Sequence, residues 1–266
     1  MHRLLIASSR KKDNDMEFTL EQWEENWDQE IEKVYYDPDD RSIRVNRSYI
    51  EKYMGPSAKL FLEAGCGTAR SSLDTALNHP DISVVCLDIA PTALLIAKRL
   101  FRENNASGFF VCGDIRALPF RTGAFDFIFS DGAIEHFKET SRALSELYRV
   151  LGNGGRILVT VPYVSIPMLT HGQLHGNIPN LPILRSLLEF IHMRVFKGRF
   201  MKNGYELSFT QTQLKSLLNK FSKVEVGLFH GGRLSRFCFF RWPLLMKIRR
   251  LICYMIYGFA VKQLPN

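Results

Sequence analysis

Short apolar runs alternate with helix-like segments between residues 60 and 161. Five runs rich in aliphatic and aromatic residues predict strands that are buried on both faces, as in a parallel sheet. They are residues 60–64, 83–87, 108–112, 125–129 and 156–161. The segments between them, residues 70–78, 92–104 and 140–151, carry apolar residues at helical spacing. Strands that alternate with helices in this way predict an α/β fold whose sheet is covered by helices.

An amphipathic segment precedes this alternating region. Residues 17–34 place aromatic residues, among them Trp23 and Trp27, at roughly helical spacing and predict an N-terminal helix. We expect its apolar face to cap the core. The polar residues 35–47 follow, and residues 48–53 predict a second, short helix.

The regular alternation stops after residue 162 and returns near residue 210. Residues 163–205 contain three prolines and a basic, apolar helical segment at residues 183–196. We interpret residues 163–205 as an insertion over the active site. Residues 210–220 then predict a helix, and residues 223–229 predict a sixth strand.

A glycine turn joins the first predicted strand to the helix that follows it, in the sequence LFLEAGCGTAR at residues 60–70. Gly65 and Gly67 stand at the carboxyl end of a strand, where glycine lets a ligand approach the backbone closely. The third glycine of a dinucleotide-binding loop would fall at position 70, which holds arginine. The loop also lacks the Gly-Lys-Ser or Gly-Lys-Thr of a P-loop. The remaining pattern, Glu63-x-Gly65-x-Gly67, predicts a nucleotide-type site without a phosphate cradle.

Acidic residues stand at the ends of the next three predicted strands. Asp88 ends the second strand, 23 residues beyond Gly65. A carboxylate at that position can accept hydrogen bonds from both hydroxyls of a ribose. Asp114 ends the third strand, and Asp131 follows the fourth. Ligands of α/β sheets sit at the carboxyl ends of strands, so these acids are candidate ligand contacts.

In this order, the glycine loop, the strand-end acids and the turn at residues 147–155 resemble the motifs of the class I S-adenosylmethionine-dependent methyltransferases. The resemblance spans residues 60–161, and a third glycine that the family often has is Ala69 here. It implies a doubly wound, seven-stranded mixed α/β sheet, Rossmann-like, with its last strand at residues 257–264. It also implies that S-adenosylmethionine is the cofactor and that the N-terminal helix either caps the core or lies over that cofactor.

The resemblance also implies which residues bind the cofactor. Asp88 would bind the ribose, and Asp114 would meet the adenine amino group. Ile89 and Ile115 would pack on the two faces of the adenine ring. Glu63 would support the methionine amino group or hold the glycine loop. The full set is Glu63, Gly65, Gly67, Asp88, Ile89, Asp114, Ile115 and Asp131, with the backbone near residues 65–69 and Arg70 as candidate partners of the methionine carboxylate.

Methyl transfer from a sulfonium needs positioning, exclusion of water and, for some acceptors, removal of a proton. His136, just past the fourth strand, is the candidate base. A histidine near its ordinary pKa can take a proton from a hydroxyl group. A structural or substrate-lining role is the alternative for His136. His171, His175 and Tyr205 in the insertion are further candidates.

The composition of the 266 residues limits the class of protein. The length suits one domain with an elaboration, and 46% hydrophobic and 12% aromatic residues are ample for a core. Five cysteines without regular spacing argue against a disulfide framework and against a zinc site, and we predict no metal. The start shows no signal-peptide pattern, so we expect a reducing, cytoplasmic location. We divide the chain into residues 1–56, a tail and capping helix, and residues 57–266, a methyltransferase domain with a lid insertion at 163–205.

The net charge of +8 is unevenly distributed. Residues 163–266 carry 15 Lys and Arg against three acids, which leaves 20 basic and 24 acidic residues before them. This asymmetry indicates a half that faces nucleic acid or membrane, or simply a solvated basic surface. Residues 183–196 and 247–261 are apolar as well as basic and would suit peripheral contact with an anionic membrane. The run 257–264 is also the candidate last strand.

We therefore predict methyl transfer to a small-molecule acceptor, and a lipophilic acceptor would suit the basic, apolar segments. A nucleic-acid acceptor is disfavoured because residues 130–133 read Ser-Asp-Gly-Ala and not Asn/Asp-Pro-Pro-Tyr. An RNA-directed methyltransferase and a catalytically degenerate cofactor-binding protein are the alternatives. An NAD-dependent oxidoreductase is disfavoured by Arg70 and Asp114. The identity of the acceptor and the oligomeric state stay open.

Overall fold

The computed structural model describes residues 19–196, 199, 201, 204–229 and 253–263. The predicted tail and the first two residues of the predicted N-terminal helix lie outside these residues. Of the basic, apolar run 247–261, the part from residue 253 onward lies within them.

A seven-stranded mixed sheet forms the centre of the described structure. In chain order the strands are β1 (Leu60–Ala64), β2 (Ser83–Asp88), β3 (Phe109–Cys112), β4 (Phe125–Asp131), β5 (Leu151–Pro162), β6 (Asn177–Pro179), β7 (Glu206–Ser208), β8 (Ser222–Phe229) and β9 (Met255–Val261). Strands β6 and β7 form a separate pair, and the other strands have the order β3-β2-β1-β4-β5-β9-β8. Strands β1 to β5 run parallel, whereas β9 runs antiparallel to both neighbours. The predicted class of fold is confirmed.

Helices cover both faces of this sheet. In chain order they are α1 (Leu20–Asp28), α2 (Arg41–Met54), α3 (Arg70–Asn78), α4 (Pro91–Glu103), α5 (Thr140–Val150), α6 (Ile166–Leu169), α7 (Pro182–Phe190) and α8 (Gln211–Leu217). The structure thus has the helices predicted between the first five strands, with ends that differ by one residue at most. Helix α8 is shorter than predicted, because it ends at Leu217 and not at residue 220.

Two N-terminal predictions were wrong in their bounds. Helix α1 ends at Asp28 and does not continue to residue 34. Helix α2 begins at Arg41, well before the predicted start at residue 48. Asp40 caps α2, because its Oδ1 accepts a hydrogen bond from the backbone N–H of Ser42 at 2.9 Å. The cap starts a helix in a stretch whose polar composition indicated none.

A buried carboxylate fixes α2 to α3. Arg47 on α2 donates from Nε to Oδ2 of Asp74 at 2.8 Å, and a second guanidinium nitrogen of Arg47 donates to Oδ1. The Tyr36 hydroxyl donates to the same Oδ1 at 2.7 Å. Removing one partner of such a pair would leave a buried charge without compensation. These contacts hold α2 beside the carboxyl end of the sheet.

The core has two layers, one on each face of the sheet. Phe61 and Phe127 belong to the layer under α3 and α4, whereas Leu62 and Ile128 belong to the layer under α5 and α8. All four side chains have 0% exposure. Successive residues of a strand point to opposite faces, so strands buried on both faces appear in the sequence as continuous apolar runs.

Strand β9 lies inside the sheet between β5 and β8. Ile256 and Ala260 are fully buried, and the strand begins two residues before the predicted residue 257. Residues 255–261 therefore belong to the core, which corrects the alternative that this part of the run 247–261 contacts a membrane. Within the described ranges, no helix is long and apolar enough to cross a bilayer.

The segment between β5 and α8 contains α6, β6, α7 and β7. Helix α7 ends at Phe190, and one π-helical turn continues over Ile191–Val195. The helix predicted at residues 183–196 is therefore two consecutive elements. An isolated bridge between Tyr163 and Phe209 joins the residue after β5 to the residue after β7.

Candidate active site

One cavity of about 360 Å³ lies at the carboxyl ends of β1, β2 and β4. All nine predicted site residues line it: Glu63, Gly65, Gly67, Asp88, Ile89, Asp114, Ile115, Asp131 and His136. The parallel strands end at one edge of the sheet, which brings together residues that are distant in the sequence. The cavity is also lined by Trp23 and Trp27 of α1 and by Asn46, Arg116 and Phe137.

The glycine loop has a conformation that requires glycine. The N–H groups of Gly65 and Cys66 both donate to the carbonyl of Leu87, at 2.8 and 2.9 Å. Gly65 has φ +73°, and a Cβ there would lie 2.4 Å from the Cβ of Ala133. A side chain at position 65 would therefore displace the segment after β4. The bare backbone forms one wall of the cavity.

Glu63 is buried beneath this loop. Its Oε2 accepts hydrogen bonds from the backbone N–H of Ser72 at 2.9 Å and from the Ser72 hydroxyl at 2.5 Å. The pKa of Glu63 is raised to about 8, mainly because burial disfavours the charged form. The hydrogen bonds from Ser72 oppose this rise, and the charges of Asp131 and Asp88 add to it. Two roles were predicted for Glu63, and these contacts agree with the one in which it holds the glycine loop. Ser72 lies in the first turn of α3, which directly follows that loop.

Asp88 also binds the glycine loop. Its Oδ2 accepts a hydrogen bond from the N–H of Gly67 at 2.7 Å, and its Oδ1 accepts one from the N–H of Ala90 at 3.0 Å. Burial raises the pKa of Asp88, and the backbone hydrogen bonds oppose that effect. An ionised carboxylate has about four acceptor positions, so the hydrogen bonds from the loop leave acceptor capacity for a ligand.

Asp114 forms an ion pair with Arg116 that was not predicted from the sequence. Arg116 donates from Nη2 to Oδ2 of Asp114 at 2.7 Å and from Nε to Oδ1 at 3.0 Å. Burial raises the pKa of Asp114, but the hydrogen bonds and charge of Arg116 outweigh it and hold the pKa below its ordinary value. The Arg116 guanidinium also lies 4.6 Å from the centre of the Phe137 ring. This end of the cavity therefore carries an ionised carboxylate next to a planar cation.

Asp131 connects the fourth strand to α2. Its Oδ2 accepts a hydrogen bond from Nδ2 of Asn46 at 3.0 Å, and its Oδ1 accepts one from the Thr160 hydroxyl. Asn46 also donates to the Ser71 hydroxyl at 3.0 Å. Asn46 was not among the predicted site residues, because its segment was not expected to be helical. An Asp at an N-cap position six residues earlier was the available signal.

His136 lies between the cavity and the insertion. Its Nδ1 lies 2.8 Å from the carbonyl oxygen of Tyr205, and its ring packs edge-on against Trp23 with centroids 5.0 Å apart. A carbonyl only accepts, so in the neutral ring Nδ1 carries the proton and Nε2 carries the lone pair. Burial lowers the pKa of His136 below its ordinary value, although the charge of Glu206 and the carbonyls of Tyr205 and Gly132 act in the opposite direction.

Two carboxyl groups near His136 were not singled out in the sequence. Glu135 is buried, and burial together with the charges of Glu206 and Asp131 raises its pKa well above the ordinary value. Glu206 on β7 accepts a hydrogen bond from Nδ2 of Asn177 at 2.8 Å. The neutral form of Glu135 is favoured, so Glu206 is the main negative charge that acts on His136.

The other candidate bases differ from His136 in position. Tyr205 is fully buried and donates its hydroxyl to Oε1 of Glu189 at 2.7 Å, so only its carbonyl reaches His136. His175 is exposed, and neither residue lines the cavity within the described structure. The side chain of His171 lies outside the described residues.

Helix α1 covers the glycine loop. A Cβ on Gly67, which has φ +49°, would lie 3.0 Å from the Trp27 ring. Glu24 fixes the helix by accepting hydrogen bonds from the N–H and the hydroxyl of Thr92, at 3.0 and 2.5 Å. The apolar face of α1 therefore lies over the cavity, which Trp23 and Trp27 line.

A family model described as a methyltransferase domain matches residues 62–159. Demethylmenaquinone methyltransferase of Thermus thermophilus is 34% identical over 117 residues, which are 44% of this chain and 53% of that protein. Malonyl-acyl-carrier protein O-methyltransferase of Herminiimonas arsenicoxydans is 33% identical over 118 residues, 44% of this chain and 40% of that protein. The chain thus spans about half the length of the curated relatives that it matches.

A solved structure agrees with these matches at the level of the fold. Phosphoethanolamine N-methyltransferase 2 of Haemonchus contortus, in complex with phosphomonomethylethanolamine and S-adenosylhomocysteine, is 20% identical with a TM-score of 0.56. The alignment covers 83% of this chain and 52% of that chain. Together with the strand order, the glycine loop and the strand-end acids, these matches identify residues 62–159 as a methyltransferase domain of the class I type, whose cofactor is S-adenosylmethionine.

Proposed function

We propose that this protein transfers the methyl group of S-adenosylmethionine to a small, lipophilic acceptor molecule. One observation carries the proposal: a single cavity brings the glycine loop, Asp88, Asp114 and His136 together at the carboxyl edge of the sheet. The first three suit an adenosyl ligand, and His136 stands next to them as a neutral base.

The residues of the cavity fit the cofactor. Bare backbone at Gly65 and Gly67 gives the close approach that a nucleoside with an amino-acid tail needs. Asp88 has acceptor positions left for ribose hydroxyls, and Asp114 is an ionised acceptor for the adenine amino group. Ile89 and Ile115 supply apolar surface for the adenine ring. When bound, S-adenosylmethionine supplies a methyl group on an activated sulfonium.

The remaining residues of the site would position the reactants and manage the proton. Trp23 and Trp27 line the cavity and would help to exclude water from it, which favours in-line transfer over hydrolysis. His136 is held with its Nδ1 proton on the Tyr205 carbonyl. Its Nε2 lone pair is then the group that would accept a proton from a hydroxyl acceptor as the new bond to carbon forms.

Three features support a lipophilic acceptor. One relative is named for a quinone precursor, demethylmenaquinone. The segment between β5 and α8 leaves several apolar side chains exposed, among them Ile166 and Ile183. The chain also has an excess of basic residues after residue 162. Two alternatives are tested below. RNA is the alternative acceptor, and the other alternative is a degenerate protein that binds the cofactor without transferring its methyl group.

The test is calorimetric titration of the full chain with S-adenosylmethionine and S-adenosylhomocysteine, with NAD as control. We expect binding of the first two alone, and at least about tenfold weaker binding to the folded Asp88→Ala variant, because a charged hydrogen-bond acceptor is lost. A labelled methyl donor is then incubated with a demethylated quinone, a malonyl-loaded carrier protein and RNA. Labelling of RNA alone would overturn the acceptor class, and absence of cofactor binding would overturn the function.

A further inference from the structure

Helix α7 carries an apolar stripe on its outer face. Ile183, Leu187 and Phe190 follow one another at the spacing of four and three residues that aligns side chains on a helix. Their exposed fractions are 88%, 52% and 59%. Helix α7 has no buried residue. A contiguous exposed apolar surface of this kind is uncommon on a protein that has no partner there.

The inner face of α7 is attached firmly to the domain. Arg185 holds Glu189 within the helix by donating from Nε to Oε1 at 2.9 Å, and it donates from Nη1 to Oδ1 of Asn180, just before the helix, at 3.0 Å. The buried Tyr205 hydroxyl donates to the same Glu189 oxygen, and Leu188 packs against the core. These contacts fix the rotation of the helix. The stripe therefore faces outward because of the fold and not because the helix is loosely held.

Positive charge lies next to the stripe. Arg194 follows Phe190 by one helical turn, and both Arg194 and Arg199 are exposed. The sequence from residue 191 to residue 203 contains two lysines besides these arginines and no acid. Apolar side chains flanked by cations match the surface of an anionic bilayer, where the apolar groups enter the interface and the cations meet the headgroups. A second copy of the chain would instead bring like charges together across the contact.

We propose that Ile183, Leu187, Phe190, Arg194 and Arg199 form a docking surface for an anionic lipid bilayer, called here the α7 surface. The proposal goes beyond methyl transfer, since it concerns where the protein is located. It rests on the proposed function in one respect, the delivery of a lipophilic acceptor from the bilayer to the cavity. Tyr205 links α7 to the cavity, because its hydroxyl contacts Glu189 of α7 and its carbonyl contacts His136. A molecule that leaves the bilayer at α7 would therefore have a short distance to travel to the cavity.

The experiment is flotation of the full chain with vesicles of phosphatidylcholine alone or of phosphatidylcholine mixed with phosphatidylglycerol. We expect binding to the mixed vesicles only, and weaker binding as salt is added. Arg194→Gln should weaken binding about fivefold, the effect of removing one cation near an anionic surface. Leu187→Gln should abolish most of the binding. The matched control is Leu95→Gln on α4, a leucine that is 58% exposed and lies outside the α7 surface.

Equal binding of Leu187→Gln and the unchanged protein would overturn the proposal, as would absence of binding to mixed vesicles. Light scattering and thermal unfolding identify what covers the surface in those cases. A dimer that Leu187→Gln dissociates would indicate a second copy, and a loss of stability in that variant would indicate cover by the chain itself. Cofactor titration of the same samples keeps the two proposals distinguishable, because vesicle binding without cofactor binding would contradict only the proposed function.

Discussion

The Nδ1 atom of His136 lies 2.8 Å from the main-chain carbonyl oxygen of Tyr205. This contact joins the loop after β4 to the segment that carries α7, and it sets the tautomer of the neutral ring. Burial lowers the pKa of His136, and the charge of Glu206 partly offsets that effect. The ring is therefore neutral, and able to accept a proton, at a lower pH than an exposed histidine.

The first prediction concerns this titration. In an NMR titration without any ligand, the His136 ring should change protonation state at a midpoint below about 6.5, the value of an unperturbed histidine. Glu206→Gln should move the midpoint to still lower pH, because the charge that raises the pKa is removed. Glu103→Gln, which changes an exposed carboxylate on α4, is the control and should leave the midpoint unchanged. A midpoint above that of an exposed histidine would contradict the burial argument.

The second prediction concerns the contact between Gly67 and Trp27. Gly67→Ala adds a Cβ at 3.0 Å from the Trp27 ring and places a side chain at φ +49°. We expect S-adenosylhomocysteine to bind this variant about tenfold more weakly, since a strained loop and a displaced indole together cost on the order of 1–2 kcal/mol. In a Trp27→Ala background the same change should cost less, because only the backbone strain remains.

Calorimetry on the two single variants and the double variant measures this coupling. Additive effects would show that Trp27 does not lie over the glycine loop in solution. The matched control is Trp23→Ala combined with Gly67→Ala, because Trp23 contacts His136 and not Gly67. That pair should be additive.

Local sequence patterns were sufficient to predict the edge of the sheet that forms the site. Continuous apolar runs predicted β1 to β5, and glycines or acids at their carboxyl ends predicted the lining of the cavity. Other features depend on contacts that a local pattern does not contain. Helix α2 was predicted too short, because its polar first turns are stabilised by the Asp40 cap and by Arg47 on Asp74. Long-range pairing also decides that β9 lies between β5 and β8.

The pairing of Arg116 with Asp114 is a second case of this limit. The two residues are separated by one position, and only the short 3-10 turn that Asp114 caps brings the guanidinium back onto the carboxylate. The amphipathic segment at residues 183–196 was recognised from sequence. Its orientation was not, because that depends on Glu189 and Tyr205, which meet across the insertion.

The third prediction tests the role of Asp114. If its carboxylate accepts a hydrogen bond from the adenine amino group, the protein should prefer S-adenosylhomocysteine over S-inosylhomocysteine by about tenfold or more, because the inosine lacks that donor. Asp114→Asn should lose most of this preference. Competition calorimetry with the two ligands measures it.

Arg116→Ala distinguishes the effect of Arg116 from that of the adenine amino group, the second expected partner of Asp114. The carboxylate keeps its acceptor positions in this variant, so the preference for the adenosyl ligand should persist even where overall affinity falls. Equal binding of both ligands to the unchanged protein would show that the adenine amino group does not meet Asp114.

The last prediction concerns stability and the buried carboxyl of Glu63. Its pKa in the folded protein is about 8, mainly because burial disfavours the charged form. The unfolded chain releases that proton near pH 4.3, the ordinary value for glutamate. Between these two values the folded state holds one more proton than the unfolded state. The contribution of Glu63 to stability is therefore fully present below the lower value and is lost as the pH rises towards the upper one.

Glu63→Gln keeps the shape of the side chain without a titrating group, so it should remove this dependence on pH. Chemical denaturation near pH 5 and near pH 8 should show the unchanged protein losing more stability than the variant, by at most about 1.4 kcal/mol per pH unit in that window. Ser72→Ala removes a hydroxyl that lowers the pKa of Glu63, so it should extend the window to higher pH. Parallel stability curves for the unchanged protein and Glu63→Gln would show that Glu63 stays ionised in the folded state.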